Sequence, residues 1–424
     1  MERRFQKTAG FSRVISAANG TARQTWFSGW LLASVLIAIL LLVVIAVAAT
    51  RGRKPVSRVE PIRPALRSAP PPLVLPWKSL RYPTEQVLLG GMEAAGVFQP
   101  TGSGNPESAM FGSTRTAARG GRTQSSFHEG VDIAAVRRDR QGRPQDVVRA
   151  IAQGQVMYVN RVGGNSNYGK YVVIAHDDPV GEVYSLYAHL ADVPTGIWPG
   201  KVVAAGDLIG TMGNTSSAGI PMDRAHLHLE IALMSNARFD SWYRAQKLTP
   251  DHGSYNGQNL LGINPLLLFK ARQRNPDVAF ANVLRGVPRA FDVVLRVPQP
   301  PDFFVRYNPL WKGEATAGRP LVMTCAENGL PLAGRAATDA EIRALGRQSC
   351  RVQNVDEAAL GRNGAHLVTR LGGDWSLTEG GQRWLEILTY APGAIPIGYN
   401  TTAPAPTQKK SASTSRPVKR STRR

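Results

Sequence analysis

Seven histidines occur in 424 residues, and five of them sit in three short stretches whose side chains could do chemistry together. The densest stretch is Ala225-His226-Leu227-His228-Leu229-Glu230. Its alternation of apolar and polar residues predicts a strand, and successive side chains of a strand point to opposite faces. Leu227 and Leu229 then face a core, while His226 and His228 share the other side. Two imidazoles aimed into one space can be two metal ligands, one ligand and one base, or a surface pair. The second stretch is Phe127-His128-Glu129-Gly130-Val131-Asp132, and the third is Leu186-Tyr187-Ala188-His189.

Hydrolytic zinc sites use three protein ligands and keep the fourth position for water. His128 and Asp132 are separated by three residues, and Gly130 between them allows a tight turn or a close backbone approach. With His228 they make a His-Asp-His set. His189 and His226 stay free beside it. A peptide-cleaving site needs a group that takes a proton from water and a group that steadies the tetrahedral oxyanion, and two spare histidines supply both. Glu230 shares a strand face with His228 and reads first as a structural residue, with orientation of His228 from behind as the less favoured alternative. Glu129 should point away from the metal if its stretch is extended. Asn165-Ser166-Asn167-Tyr168 reads equally as a substrate-contacting loop or a plain turn. His176 reads as a turn-stabilising residue, and His252 and His366 as surface or packing residues.

The elements that must hold these residues are short. Ala150 to Val159, Lys170 to Ala175, Glu182 to Ala188, Lys201 to Ala204, Leu208 to Thr211 and His226 to Leu233 are β-type runs. Gly163-Gly164-Asn165, Pro199-Gly200 and Gly213-Asn214-Thr215 break them. This pattern predicts a mainly antiparallel β domain over residues 84–275. A small α/β unit is expected over 291–395, with a capping box at Thr338-Asp339-Ala340-Glu341 and a second helix start at Thr378. Residues 396–424 are rich in Thr, Ser, Pro, Lys and Arg and are expected to be disordered.

Upstream, Trp30 to Ala49 is an uncharged apolar run about 20 residues long, enough for a bilayer-spanning helix. Residues 27–49 are therefore read as a transmembrane signal anchor in preference to a cleaved signal peptide. Residues 1–26 form a short basic cytoplasmic segment, and the prolines of 50–83 make a stiff linker. This order predicts a single-pass protein of the cell membrane with its catalytic domain on the extracytoplasmic side. The formal net charge is +21. Such a chain favours anionic partners, and the basic tail suits anionic envelope polymers better than nucleic acid, which an extracytoplasmic domain rarely meets. Cys325 and Cys350 are too far along the chain from the histidines to share their metal. They are either a disulfide or two free thiols, according to compartment.

The His-x-x-x-Asp of 128–132, the Tyr-Ala-His-Leu of 187–190 and the His-Leu-His-Leu-Glu of 226–230, in this order, resemble the lysostaphin-type (LytM-like) zinc endopeptidases. Phe111-Gly112, Ala152-Gln153-Gly154-Gln155-Val156, Tyr168 to Ile174 and Gly206-Asp207-Leu208-Ile209-Gly210 extend the resemblance over about residues 105–270. It implies an antiparallel β-sheet peptidase domain with a substrate groove, and hydrolysis of peptide bonds in peptidoglycan stem peptides or cross-links. It implies Zn2+ on His128, Asp132 and His228. His226 would be the general base and His189 would orient water or hold the oxyanion, with the two roles exchangeable. Some members of the family act only as activators or scaffolds for other wall hydrolases, but no ligand is missing here. The tyrosine that some members carry shortly before the first histidine has no counterpart in Gly120 to Ser126.

Overall fold

The computed structural model describes residues 75–392, apart from 90–95, 120–121, 250–251, 315–317 and 362. The expected basic segment 1–26, apolar helix 27–49, most of the linker 50–83 and the basic tail 396–424 lie outside the described residues. Among the described residues no helix is long and apolar enough to cross a membrane.

The protein is mainly β with antiparallel sheets. The strands of the first part are β1 (Thr114–Arg119), β2 (Arg122–Phe127), β3 (Val131–Ala134), β4 (Val147–Arg149), β5 (Gly154–Asn160) and β6 (Lys170–Asp178). They continue with β7 (Gly181–Leu190), β8 (Val202–Val203), β9 (Leu208–Thr211), β10 (His226–Met234) and β11 (Leu260–Ile263). Seven of them form one sheet in the order β11-β10-β7-β6-β5-β8, with β3 also pairing β10. β10 is the axis of this sheet. β7 lies along one side, and the other side is shared by β3 against residues 226–229 and β11 against residues 231–234. All nine residues of β10 are buried. Leu227 and Leu229 enter the main core with Val131, Ile133 and Tyr187, as the alternating pattern predicts. The runs read as strands all appear. Leu208–Thr211 has the predicted bounds, and the others shift by a few residues, β6, β7 and β10 running longer than their apolar stretches and β5 and β8 starting later.

The hairpin β1–β2 was not foreseen, because Gly, Arg and Ser residues carry no apolar alternation to reveal it. It pairs through six residues on each strand, Thr114 facing Phe127 and Arg119 facing Arg122.

Residues 291–392 contain a five-stranded sheet in the order β13-β15-β14-β12-β16, made from β12 (Phe291–Leu295), β13 (Trp311–Lys312), β14 (Leu321–Cys325), β15 (Pro331–Ala336) and β16 (Cys350–Gln353). The Thr338 capping box opens a helix over Asp339–Leu345, and Thr378 caps a helix over Glu379–Thr389. Both cysteines are free. Cys325 faces Phe291 at one end of β12, and Cys350 faces Leu295 on its other side. A whole strand therefore separates them. Neighbouring strands lie about 4.8 Å apart, so the gap exceeds the reach of a disulfide.

This second part is packed onto the first. Phe291, Trp384 and Leu385 belong to the same buried cluster as Leu227 and Leu229. Polar joints lock the seam. Tyr307 OH accepts from Met234 N and donates to Glu182 O, each at 2.9 Å. Asn236 Nδ2 donates to Ile387 O at 2.8 Å and to Tyr390 O at 2.9 Å. Asn328 Nδ2 donates to Gly262 O at 2.8 Å.

His176 is structural, but it lies inside β6 and is fully buried, not at a turn. Its Nδ1 donates to Gln153 O at 2.8 Å, and its Nε2 lies 2.8 Å from Ser185 Oγ. Burial pushes its pKa down to about 4, against the smaller opposing effects of the Gln153 carbonyl and Asp177. Above pH 6.5 the imidazole is neutral folded and unfolded. Between 6.5 and 4 the unfolded chain binds a proton that the folded chain refuses, so stability falls as pH falls. A shift of this size is worth about 3 kcal/mol at the acid end of that window. In urea titrations at pH 7 and pH 4.5, His176→Asn should be less stable than the parent at pH 7 but lose less stability on acidification. Equal losses in both proteins would assign the acid sensitivity to other groups.

Candidate metal centre

The register of β10 against β3 sets His228 directly opposite Asp132, with His226 opposite Ala134. Directly opposed side chains of antiparallel strands are near neighbours. His128 lies just before β3, where its backbone N donates to Ser113 O at 3.0 Å and its carbonyl accepts from Gly112 N at 2.9 Å. Gly130 lets this turn run close under β10. A Cβ there would stand 2.4 Å from Leu229 O and 3.0 Å from the His228 ring, so only glycine fits.

Three ligand atoms meet as a result. His128 Nε2 lies 3.0 Å from Asp132 Oδ1 and 3.1 Å from His228 Nδ1, and His228 Nδ1 lies 2.9 Å from Asp132 Oδ1. All three residues are buried, and the atoms form a group able to hold a metal ion. Ligands about 2.05 Å from a tetrahedral zinc ion are about 3.3 Å from one another, close to this triangle.

Hydrogen bonds at the far side of each ring fix what the near side offers. His128 Nδ1 donates to Met110 O at 2.8 Å, and His228 Nε2 donates to Glu230 Oε1 at 2.8 Å. The nitrogens facing Asp132 then carry lone pairs. Two lone pairs converging on a carboxylate oxygen call for a cation between them, and this is the fit of the donor set to zinc. Burial lowers the pKa of His128, which favours its neutral form. Burial also opposes a charge on His228, but Asp132 and Glu230 outweigh it and raise its pKa to about 9, so without a cation this ring holds a proton that a metal ion would displace. The Asp132 carboxyl, although burial works the other way, is held well below the ordinary range by His226 and His128.

His189 and His226 stand beside the ligands, as the sequence predicts. Their ring centroids are 4.8 Å apart, and His189 lies 5.8 Å from His228. Each is anchored through Nδ1, His189 to Thr215 O at 3.0 Å and His226 to Arg224 O at 2.7 Å. His226 Nε2 is buried without a hydrogen-bond partner and lies 3.6 Å from Asp132 Oδ2. His189 has φ 61°. A non-glycine residue in this region costs energy and marks a side chain held for a purpose. Burial depresses the pKa of both rings, that of His189 well below the ordinary value, with His226 and His228 adding to the effect there. Both are therefore neutral near pH 7, with Nε2 as proton acceptor.

Glu230 bonds His228, the less favoured of its two sequence readings. Tyr168 is the residue that the loop reading left open. Its OH donates toward Glu230 Oε1 at 2.8 Å and lies 3.2 Å from Glu129 Oε2, so it holds both carboxylates behind the metal ligands. Burial beside Glu230 raises the Glu129 pKa to about 8. Arg115 was missed altogether. Its Nη2 donates to Asp132 Oδ2 and, at 2.9 Å, to Ser108 O. It occupies Oδ2 and leaves Oδ1 for the metal, but it lies on the unforeseen hairpin and no local pattern marks it. His252 lines the cleft edge, and among the described residues His366 takes no part in it.

Residues 126–240 match the family model of Peptidase family M23. This match falls on the segment that carries the three histidine motifs and agrees with the family resemblance those motifs show. Among solved structures, the catalytic domain of lysostaphin from Staphylococcus simulans is 20% identical, with 38% of this chain and 89% of that one covered and a TM-score of 0.25. LytU is 28% identical, covering 29% and 70%, with a TM-score of 0.22. A zinc-containing peptidase from Vibrio cholerae is 22% identical, with a TM-score of 0.21. That match covers 32% of this chain and 35% of the other, so the chain spans about a third of the Vibrio protein's length. No curated protein matches the chain.

Outer partners of metal-bound histidines typically contribute 10- to 100-fold in affinity. Glu230→Ala should weaken zinc binding by about that factor in a chelator competition. Unchanged affinity would show that Glu230 does not set the His228 tautomer.

Proposed function

We propose that this chain is a zinc-dependent endopeptidase that hydrolyses peptide bonds in peptidoglycan stem peptides or cross-links. The observation that carries the reading is the set of five side chains, with His128, Asp132 and His228 converging on one point and two neutral, anchored imidazoles beside them. The match of residues 126–240 to Peptidase family M23 supports a metallopeptidase, and the resemblance of the three histidine motifs to lysostaphin-type endopeptidases supports a cell-wall substrate.

His128, Asp132 and His228 would hold the zinc ion, which would supply Lewis-acid polarisation of water and of the scissile carbonyl. His226 Nε2 accepts the proton of the attacking water and, once protonated, donates to the leaving amine. His189 Nε2 is also an acceptor in the resting state, because its Nδ1–H is tied to Thr215 O. It therefore orients the water, and it is not a donor to the carbonyl oxygen before proton transfer. Glu230 and Arg115 hold their ligands in place. Within this proposal the apolar segment 27–49 tethers the enzyme to the cell membrane with its catalytic domain on the wall side, and the basic tail contacts anionic envelope polymers.

His228→Ala is expected to lose zinc and activity together. His226→Ala is expected to keep stoichiometric zinc and to release at least 100-fold fewer muropeptides from purified peptidoglycan. Parent and His226→Ala profiles that both match buffer alone would remove the enzyme reading in favour of a non-catalytic activator. Loss of zinc from His226→Ala would overturn the division of labour between the two histidines.

A further inference from the structure

The catalytic cleft has a volume of about 880 Å³, and its lining is not confined to the peptidase segment. Asn328, Gly364, Leu367, Arg383 and Trp384 of the C-terminal part contribute to it. The seam that places them is firm. Gly364 lies against Thr114 so closely that a Cβ would stand 2.5 Å from its Oγ1, and Asn328 Nδ2 donates across the seam to Gly262 O at 2.8 Å.

The charges along the cleft fall into two groups. The carboxylates are Glu129, Asp132 and Glu230, and each is engaged. Asp132 meets His128, His228 and Arg115, Glu230 meets His228 and Tyr168, and Glu129 meets Tyr168. Among the arginines, Arg115 is bound to Asp132 and Ser108. The other two keep their charge for the cleft. Arg224 is half-buried, and its guanidinium lies over the backbone at Gly102, 3.5 Å from where a Cβ would stand. Among the described residues no acid pairs with it. Its backbone carbonyl anchors His226, and its side chain lines the same cleft as that ring. Arg383 has two acidic neighbours, Glu379 at 3.9 Å and 93% exposed, a pairing that contributes little, and Glu386, whose carboxyl feels the guanidinium charge without a direct ion pair.

We infer that the cleft selects acidic peptides, with Arg224 binding a carboxylate close to the scissile bond and Arg383, supplied by the C-terminal part, binding a second one further along the peptide. This rests on the endopeptidase reading and narrows its substrate to a carboxylate-bearing peptide, as against a neutral one such as oligoglycine. It also gives residues 291–392 a direct part in substrate binding.

The test uses two fluorescent peptides of one sequence, one with free carboxylates and one with the same groups as carboxamides. Each is titrated into the zinc-loaded full-length protein and followed by anisotropy, and cleavage is followed by mass spectrometry. The acidic peptide is expected to bind about tenfold tighter, the scale of one or two charge-assisted hydrogen bonds at a partly exposed site. Arg224→Gln and Arg383→Gln should each lower that ratio about threefold, and the double variant should bring it near one with zinc content unchanged. Arg224→Lys and Arg383→Lys should retain most of it. Equal affinity for the two peptides, or none for either, overturns the inference. Equal binding with equal cleavage leaves the endopeptidase reading standing alone. An arginine-dependent preference without cleavage of either peptide supports acidic recognition and removes the endopeptidase reading.

Discussion

Everything at the centre depends on where the imidazole protons are kept. Nδ1 of His128, His189 and His226 is tied to the backbone carbonyls of Met110, Thr215 and Arg224, and Nε2 of His228 is tied to Glu230. With one nitrogen of each ring spent as donor, the other presents a lone pair whenever the ring gives up its second proton. The two nitrogens nearest Asp132 converge as a site able to hold a metal ion, and the two further out are proton acceptors in the proposed reaction. Chemically identical side chains thus take different roles through position alone. The backbone is a suitable anchor for this task. A carbonyl neither titrates nor changes rotamer, so the tautomers persist over the working pH range.

This arrangement requires polar groups to be buried, and burial without partners is costly. The fold meets that cost by chaining the groups together. Glu230, fully buried, bonds His228 and Tyr168, and Tyr168 also reaches Glu129. The Asp132 carboxylate is shared among His128, His228 and Arg115. The chain is consistent with a site that must stay rigid as well as dry. A displacement of any ligand would strand a carboxylate or an imidazole in a low-dielectric interior, where an unpaired polar group costs several times its value in water. Gly130 and Gly257 show how tightly this shell is drawn. A Cβ at Gly257 would stand 2.4 Å from Glu129 Oε2 and 2.6 Å from Tyr168 OH.

The parts of this site that were legible in the sequence are those expressed within one element. The two-residue spacing of His226 and His228 announces a shared strand face, and Gly130 between His128 and Asp132 announces a close approach. Strand periodicity also located β5 to β10 to within a few residues. The illegible parts are contacts between elements distant in sequence. Nothing near Arg115 indicates that it will meet Asp132, because the meeting depends on how the β1–β2 hairpin folds over β3. Tyr168 is ambiguous for the same reason, since its partners lie 39 and 62 residues away. His176 shows the opposite limit. Its type suggested a turn, whereas the β6–β7 register put it in the core, where Ser185 and a carbonyl satisfy it.

The same distinction explains why the C-terminal part gave no functional signal when read alone. Its motifs are caps and strands, which specify a fold and no chemistry. Its effect on the site is exerted through placement. Tyr307 and Asn236 fasten it to the far end of β10, the strand whose near end carries His226 and His228. A rigid strand between seam and site ties the position of the C-terminal wall to the position of the histidines. Arg383 is consequently held at a set distance from the reacting centre, although more than 150 residues separate it from His226 in the chain. A flexible tether would leave that distance undefined, and an exposed guanidinium at an undefined distance could add only to general attraction. A shared core turns the same charge into a means of positioning substrate.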